Sequence, residues 1–221
     1  MNTRLLLGIV LALAAGSVLA QSSATPPKDI DPQSQNRLPL IQPQDMDEAT
    51  KKVFLEFAGS NPDRPLGGFL GLALYNPSFA QALRVLNRSV VREGTTGARA
   101  YEAAVLTATR ESLFSESEWS GHAASALKAG LAQSTIDAIR DGSALTGVPE
   151  EDAMVIRFGR ELFRNKEISA ATFAAVKNQF GPRGTVELIA IMGDYSMVAL
   201  LLKAVDQQLP PERSLPPLDL R

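Results

Sequence analysis

Residues 183–207 read RGTVELIAIMGDYSMVALLLKAVDQ, and on a helical wheel this stretch is apolar nearly all the way round. Leu188, Ile191, Tyr195, Val198 and Leu202 recur on one face, while Ile189, Met192, Leu200 and Leu201 fill the others. A helix wet along one side shows a single apolar stripe, so this one is either central to the core or an oligomer seam. No stretch of the chain carries convincing period-two alternation. The fold class is therefore all-α.

Working outward, helix punctuation recurs along the chain. Asp45-Met46-Asp47-Glu48 opens a segment carrying Val53, Phe54 and Phe57, and Gly59-Ser60-Asn61-Pro62 stops it. Pro77 starts a second, with Phe79, Leu83 and Leu86 on one face, ending before Gly94. A third runs from about Ala98 to Leu113, and a fourth from about Ser115 to Ala129, closed by Gly130. Ser134-Thr135-Ile136-Asp137 has the form of a capping box, and Gly142 stands where a left-handed C-cap belongs. Pro149 suits the first turn of a helix reaching Arg164, Ser169 caps the next, and Gly181-Pro182 separates that one from the last. Gly67-Gly68-Phe69-Leu70-Gly71 lacks the spacing and the lysine of a phosphate loop and reads as a flexible connector.

The two ends differ from this body. Arg4, the apolar run Leu5 to Gly16 and the small residues of Val18-Leu19-Ala20 compose a secretory signal peptide over 1–20, cleaved after Ala20. The run is shorter than the roughly 20 apolar residues a spanning helix needs, so a soluble periplasmic or secreted protein, without membrane attachment after cleavage, is expected. Residues 21–43 are rich in Ser, Pro, Gln and Asn and read as a flexible arm. The helical domain then covers 44–208, and a Pro-rich tail covers 209–221.

Composition narrows the chemistry. The 221 residues are 45% hydrophobic and 21% charged, which fits a globular domain and excludes a wholly disordered chain. Lys and Arg number 22 against 24 Asp and Glu, leaving no basic surplus for nucleic acid. There is no cysteine, which removes thiol peroxidase chemistry, zinc-thiolate and iron-sulfur sites together. One imidazole, His122, cannot by itself build a multi-histidine metal site. On a helix over 115–129, Ser115, Glu118 and His122 share a face, and a carboxylate one turn before an imidazole can fix its tautomer and raise its basicity. The same spacing also occurs as a solvated surface pair. Trp119, the sole tryptophan, reads as a core anchor or a pocket wall, and Arg110 with Glu111 as a helix-surface pair. No Gly-x-Ser-x-Gly elbow supports a serine hydrolase.

Arg110-Glu111 followed by Ser115-Glu116-Ser117-Glu118-Trp119-Ser120-Gly121-His122 resembles the Glu-Tyr-Glu-Trp-x-x-His signature of the carboxymuconolactone decarboxylase family. The segments Ala126 to Leu131, Ile136 to Gly142 and Ile189 to Ala199 are similar to those that follow it in the family, and the likeness covers roughly Asp45 to Pro211. The resemblance implies an alkylhydroperoxidase-D-like helical domain assembled as a trimer or hexamer. In the peroxidase branch of that superfamily a cysteine pair stands where this chain has Ser115 and Glu118, so the chain lacks the thiolate that attacks peroxide. The family's proton-relay glutamate matches Glu102, with one extra residue within Ser112-Leu113-Phe114, and Ser117 replaces a common tyrosine.

The implied activity is cofactor-independent acid-base chemistry, decarboxylation or isomerisation, on a small carboxylated lactone, with no metal or organic cofactor. His122 oriented by Glu118 is the expected acid-base residue, Glu102 a relay, and Trp119, Ser115 and Arg110 substrate contacts. The rival expectation is a non-catalytic exported protein that uses the same fold to bind a small ligand or to assemble.

Overall fold

The computed structural model describes residues 29–209, so the signal peptide and nearly all of the Pro-rich tail lie outside the described residues. Eight α-helices follow in order: α1 (Glu48–Ala58), α2 (Gly68–Ala73), α3 (Pro77–Asn87), α4 (Gly97–Glu111), α5 (Glu116–Lys128), α6 (Gln133–Asp141), α7 (Glu150–Arg160) and α8 (Ala170–Ala204). π-helical turns prolong α3 through Arg92 and α7 through Asn165. Among the described residues there is no strand, only an isolated bridge between Asp31 and Asn36.

Alanines make α4 the centre. Ala103, Ala104 and Ala108 are fully buried and carry no bulk beyond Cβ, so α5, α7 and α8 all approach α4 closely. Gly159 on α7 completes this packing, because a Cβ there would stand 2.6 Å from Cγ2 of Thr107 and 3.1 Å from Cε of Met192. The apolar last stretch takes its place against α4 and α7, burying Leu188, Ile191, Met192, Val198 and Leu202. By length and composition α8 could also cross a membrane, but here over half of its most apolar window is buried within the fold. Val186, Ile189 and Leu200 remain exposed on it.

Several helix ends follow the sequence pattern. Ser169 accepts from the Thr172 amide, and Gly142 closes α6 in the left-handed region at φ 65°. Gly181 (φ 68°, ψ 178°) breaks α8 into two legs and Pro182 opens the second, so the separation falls where the sequence pattern has it. Others depart from the pattern. The expected capping box at Ser134 is not formed: Ala132 is the N-cap, Ser134 lies inside the helix, and Gln133 bonds the Asp137 carboxylate instead. Pro149 sits one position before α7 rather than in its first turn. The glycine-rich connector contains α2.

Residues 29–43, read from composition as part of a flexible arm, are held in place. Asn36 is buried and donates to the Gln207 side chain, while the Arg37 amide bonds Val205 O and the Gln208 amide bonds Gln35 O. Polar residues here satisfy the open end of α8 instead of solvating a free arm.

Two hydrophobic clusters result. The larger joins α4 to α8, and the smaller holds Val53, Phe54, Ala73, Leu74, Ala80 and Leu83 from α1, α2 and α3.

Candidate active site

A cavity of about 530 Å³ lies between the two clusters. The smaller cluster supplies Phe57, Phe69, Ala73 and Leu83, and the larger side supplies Glu118, His122, Asp194 and Tyr195. Its walls are mainly apolar, and its volume is in the range of small-molecule sites.

His122 stands on α5 with its side chain 19% exposed. Its Nδ1 is 2.8 Å from Oε2 of Glu102, which α4 presents from behind the cavity wall. A carboxylate at that distance holds the proton on Nδ1 and leaves Nε2 as the basic nitrogen. Glu118, one turn before the histidine, lines the cavity with Oε2 3.7 Å from Nε2, beyond hydrogen-bond reach. The expected division between the glutamates is thereby corrected: Glu102 orients the ring and Glu118 flanks its free nitrogen. Helix spacing could not reveal this, since the bond to Glu102 runs between helices.

Tyr195 packs edge-on against the imidazole, with ring centroids 4.7 Å apart, and its hydroxyl meets that of Tyr101 at 2.6 Å. Burial pushes the Tyr101 phenol up to about 12 and raises that of Tyr195 as well, so both remain neutral around pH 7. Burial also raises Glu118, with the nearby His122 opposing and Asp194 adding to the shift. Asp194 itself is pushed up to about 6 by burial. The sequence reading passed over Asp194, although it is the lone charged residue in the fifteen-residue apolar run from Leu188 to Leu202.

No family model, curated protein or solved structure matches this chain.

Three other expected site residues lie apart from the cavity. Trp119 is buried against Phe114 in the main core, with ring centroids 5.7 Å apart. Ser115 precedes α5 and lines a separate polar groove with Glu116, Lys203 and Asp206. Arg110 donates from Nε to the Arg140 carbonyl, and Glu111 pairs with Arg164 instead of its chain neighbour. Position 115 lies outside the helix and 119 turns inward, so the face shared with His122 carries Glu118, while Ser117 also lines the cavity. Among the described residues no group of three His, Asp or Glu side chains has the geometry to hold a metal ion.

Proposed function

We propose that this chain is an exported carboxymuconolactone-decarboxylase-like protein that performs cofactor-independent acid-base chemistry on a small carboxylated lactone. The observation that carries the reading is the Glu102–His122 hydrogen bond behind an apolar cavity, with Nε2 left for a ligand. In a decarboxylation, the bond to the departing carboxylate breaks, CO2 leaves, and its electron pair is delocalised into the conjugated lactone as an enolate. Protonated His122 then delivers the Nε2 proton to carbon, while the Glu102 carboxylate stabilises the imidazolium beforehand. Isomerisation uses the same nitrogen to remove and return a proton. Asn87 on the wall offers a polar anchor for a substrate carboxylate, beside an Arg84 that is paired with Glu56. Apolar walls favour loss of that carboxylate's charge.

The alkylhydroperoxidase-D-like fold and a trimeric or hexameric assembly belong to the same proposal, supported by the apolar Val186, Ile189 and Leu200 exposed along α8. Export to the periplasm or outside the cell rests on the leader at 1–20.

The test is incubation of the purified protein with 4-carboxymuconolactone, following CO2 release, with His122→Ala alongside. Release that disappears in the folded variant supports the reading. Equal release from both proteins removes His122 from the reaction. No release from a folded wild type removes this substrate, and the non-catalytic binding protein then becomes the better account.

A further inference from the structure

Asp194 is 8% exposed, lines the cavity, and has an Oδ1 that is buried without a hydrogen-bond partner. The other buried acids are provided for. Glu187, on the same helix, receives the Thr95 amide and hydroxyl and the Arg183 guanidinium. Asp152 receives two nitrogens of Arg99, and Glu102 holds His122. A buried carboxyl without partners is costly, and nothing in the packing of α8 requires a charge at this position. The groups around it are Glu118 and His122 from α5, Tyr101 from α4, Arg84 from α3, and its own neighbour Tyr195. Of these Glu118 is a second carboxyl, whose ionisation Asp194 opposes, while Arg84 is paired with Glu56. No cation is set aside for Asp194, so its neutral form is favoured. A neutral carboxyl has one O–H to donate. An acid kept neutral by an apolar site is a known device for stabilising a developing oxyanion.

We propose that Asp194 is a substrate-contacting residue whose protonated carboxyl donates a hydrogen bond to an uncharged carbonyl oxygen of the ligand, a lactone carbonyl in particular. The inference rests on the reading of this cavity as the ligand site. In the decarboxylation above, that carbonyl oxygen gains charge as the carbon–carboxylate bond breaks, so the Asp194 hydrogen bond strengthens while the proton from His122 goes to carbon. The same geometry disfavours an anion beside Asp194 and Glu118.

The probe is phthalide, a neutral fused lactone, with benzoate and benzylammonium as controls. The readout is the His122 Cε1–H resonance, unique because the chain has one histidine. Phthalide is expected to shift this resonance at pH 5 and to bind several-fold more weakly at pH 8, after the carboxyl has lost its donor. Asp194→Asn, which donates through its amide at any pH, should keep its affinity at both. Asp194→Val should lose about tenfold at pH 5, the scale of one hydrogen bond. The other facing groups are common to wild type and Asp194→Asn, so pH dependence that survives in the variant belongs to them, and only the part that vanishes belongs to Asp194. Phthalide binding that is equal in wild type and Asp194→Val, with the His122 shift intact, overturns the role of Asp194 and leaves the cavity as the site. Tighter binding of benzylammonium, abolished in Asp194→Asn, overturns it in favour of an ionised acceptor. Failure of all three probes to move His122 in folded protein overturns the ligand-site reading together with this inference.

Discussion

Oε2 of Glu102 stands 2.8 Å from Nδ1 of His122, a bond between side chains twenty positions apart on adjacent helices. It decides which imidazole nitrogen faces the cavity. Glu102→Gln can present its amide the wrong way round and release the tautomer. On the proposed chemistry, kcat should fall by about 10²-fold with little change in KM, the size of effect that acid-base and orienting groups typically carry. Steady-state kinetics on the carboxylated lactone measure the split, and a change confined to KM would count against an orienting role.

Asp194 gives a stability prediction independent of any substrate. Its carboxyl is raised from 3.8 to about 6 in the folded chain, so the folded state holds a proton that the unfolded state releases. Stability from this group is fully present below about pH 4 and is lost as pH rises through about 6. Asp194→Asn should therefore be more stable than wild type at pH 8, by on the order of 2 kcal/mol, and the gain should shrink towards zero at pH 4. Urea unfolding of both proteins at pH 4, 6 and 8 supplies the comparison. Glu118 is raised by burial and further by Asp194, so its own shift shrinks in Asp194→Asn and adds to the difference in the same direction.

Gly159 leaves no room for a side chain where α7 packs on α4 and α8. A methyl group there meets Thr107, whose hydroxyl is itself committed to the Ala103 carbonyl, and the tip of Met192. Methionine can move aside, but the buried threonine has little room. Gly159→Ala should destabilise by about 1–3 kcal/mol in urea unfolding, and Gly159→Val by more. An alanine variant as stable as wild type would mean that α7 and α4 separate freely.

The clasp at the start of the described chain makes a fourth case. Asn36→Ala removes the bond to Gln207 and leaves polar groups unpaired around it. Hydrogen exchange at the Arg37 and Gln208 amides should quicken by about tenfold or more, while amides in α4 stay as protected as before. Uniform acceleration would indicate instead that the clasp supports the whole fold.

Much of the all-α reading came from local signals that act over one turn. The left-handed Gly142 and the cap at Ser169 are of this kind, and both stand where the pattern put them. The capping box at Ser134 shows the limit, because Gln133 and Asp137 offered a competing pair that no motif registers. Composition misjudged residues 29–43, since polar side chains solvate an arm or satisfy a helix end equally well until the partner is known. The site was legible in part. Glu118 and His122 follow from helix spacing, whereas the bond from Glu102 and the inward turn of Trp119 depend on how α4 and α5 meet. Asp194 left a readable mark, a solitary acid in an apolar run, which the apolar character of the run obscured.

The seam position of the cavity separates two kinds of change that the molecule can accumulate. The hydrogen-bonded pair that would move a proton belongs to the rigid α4–α5 framework, while Phe57, Phe69 and Leu83 belong to the smaller α1–α3 cluster. Substitutions in that smaller cluster alter the shape a guest must have without disturbing the Glu102–His122 bond. The bond and the wall thus sit on different helices, so the outline of the cavity can be recut from α1–α3 while the orientation of the imidazole, fixed between α4 and α5, stays as it is.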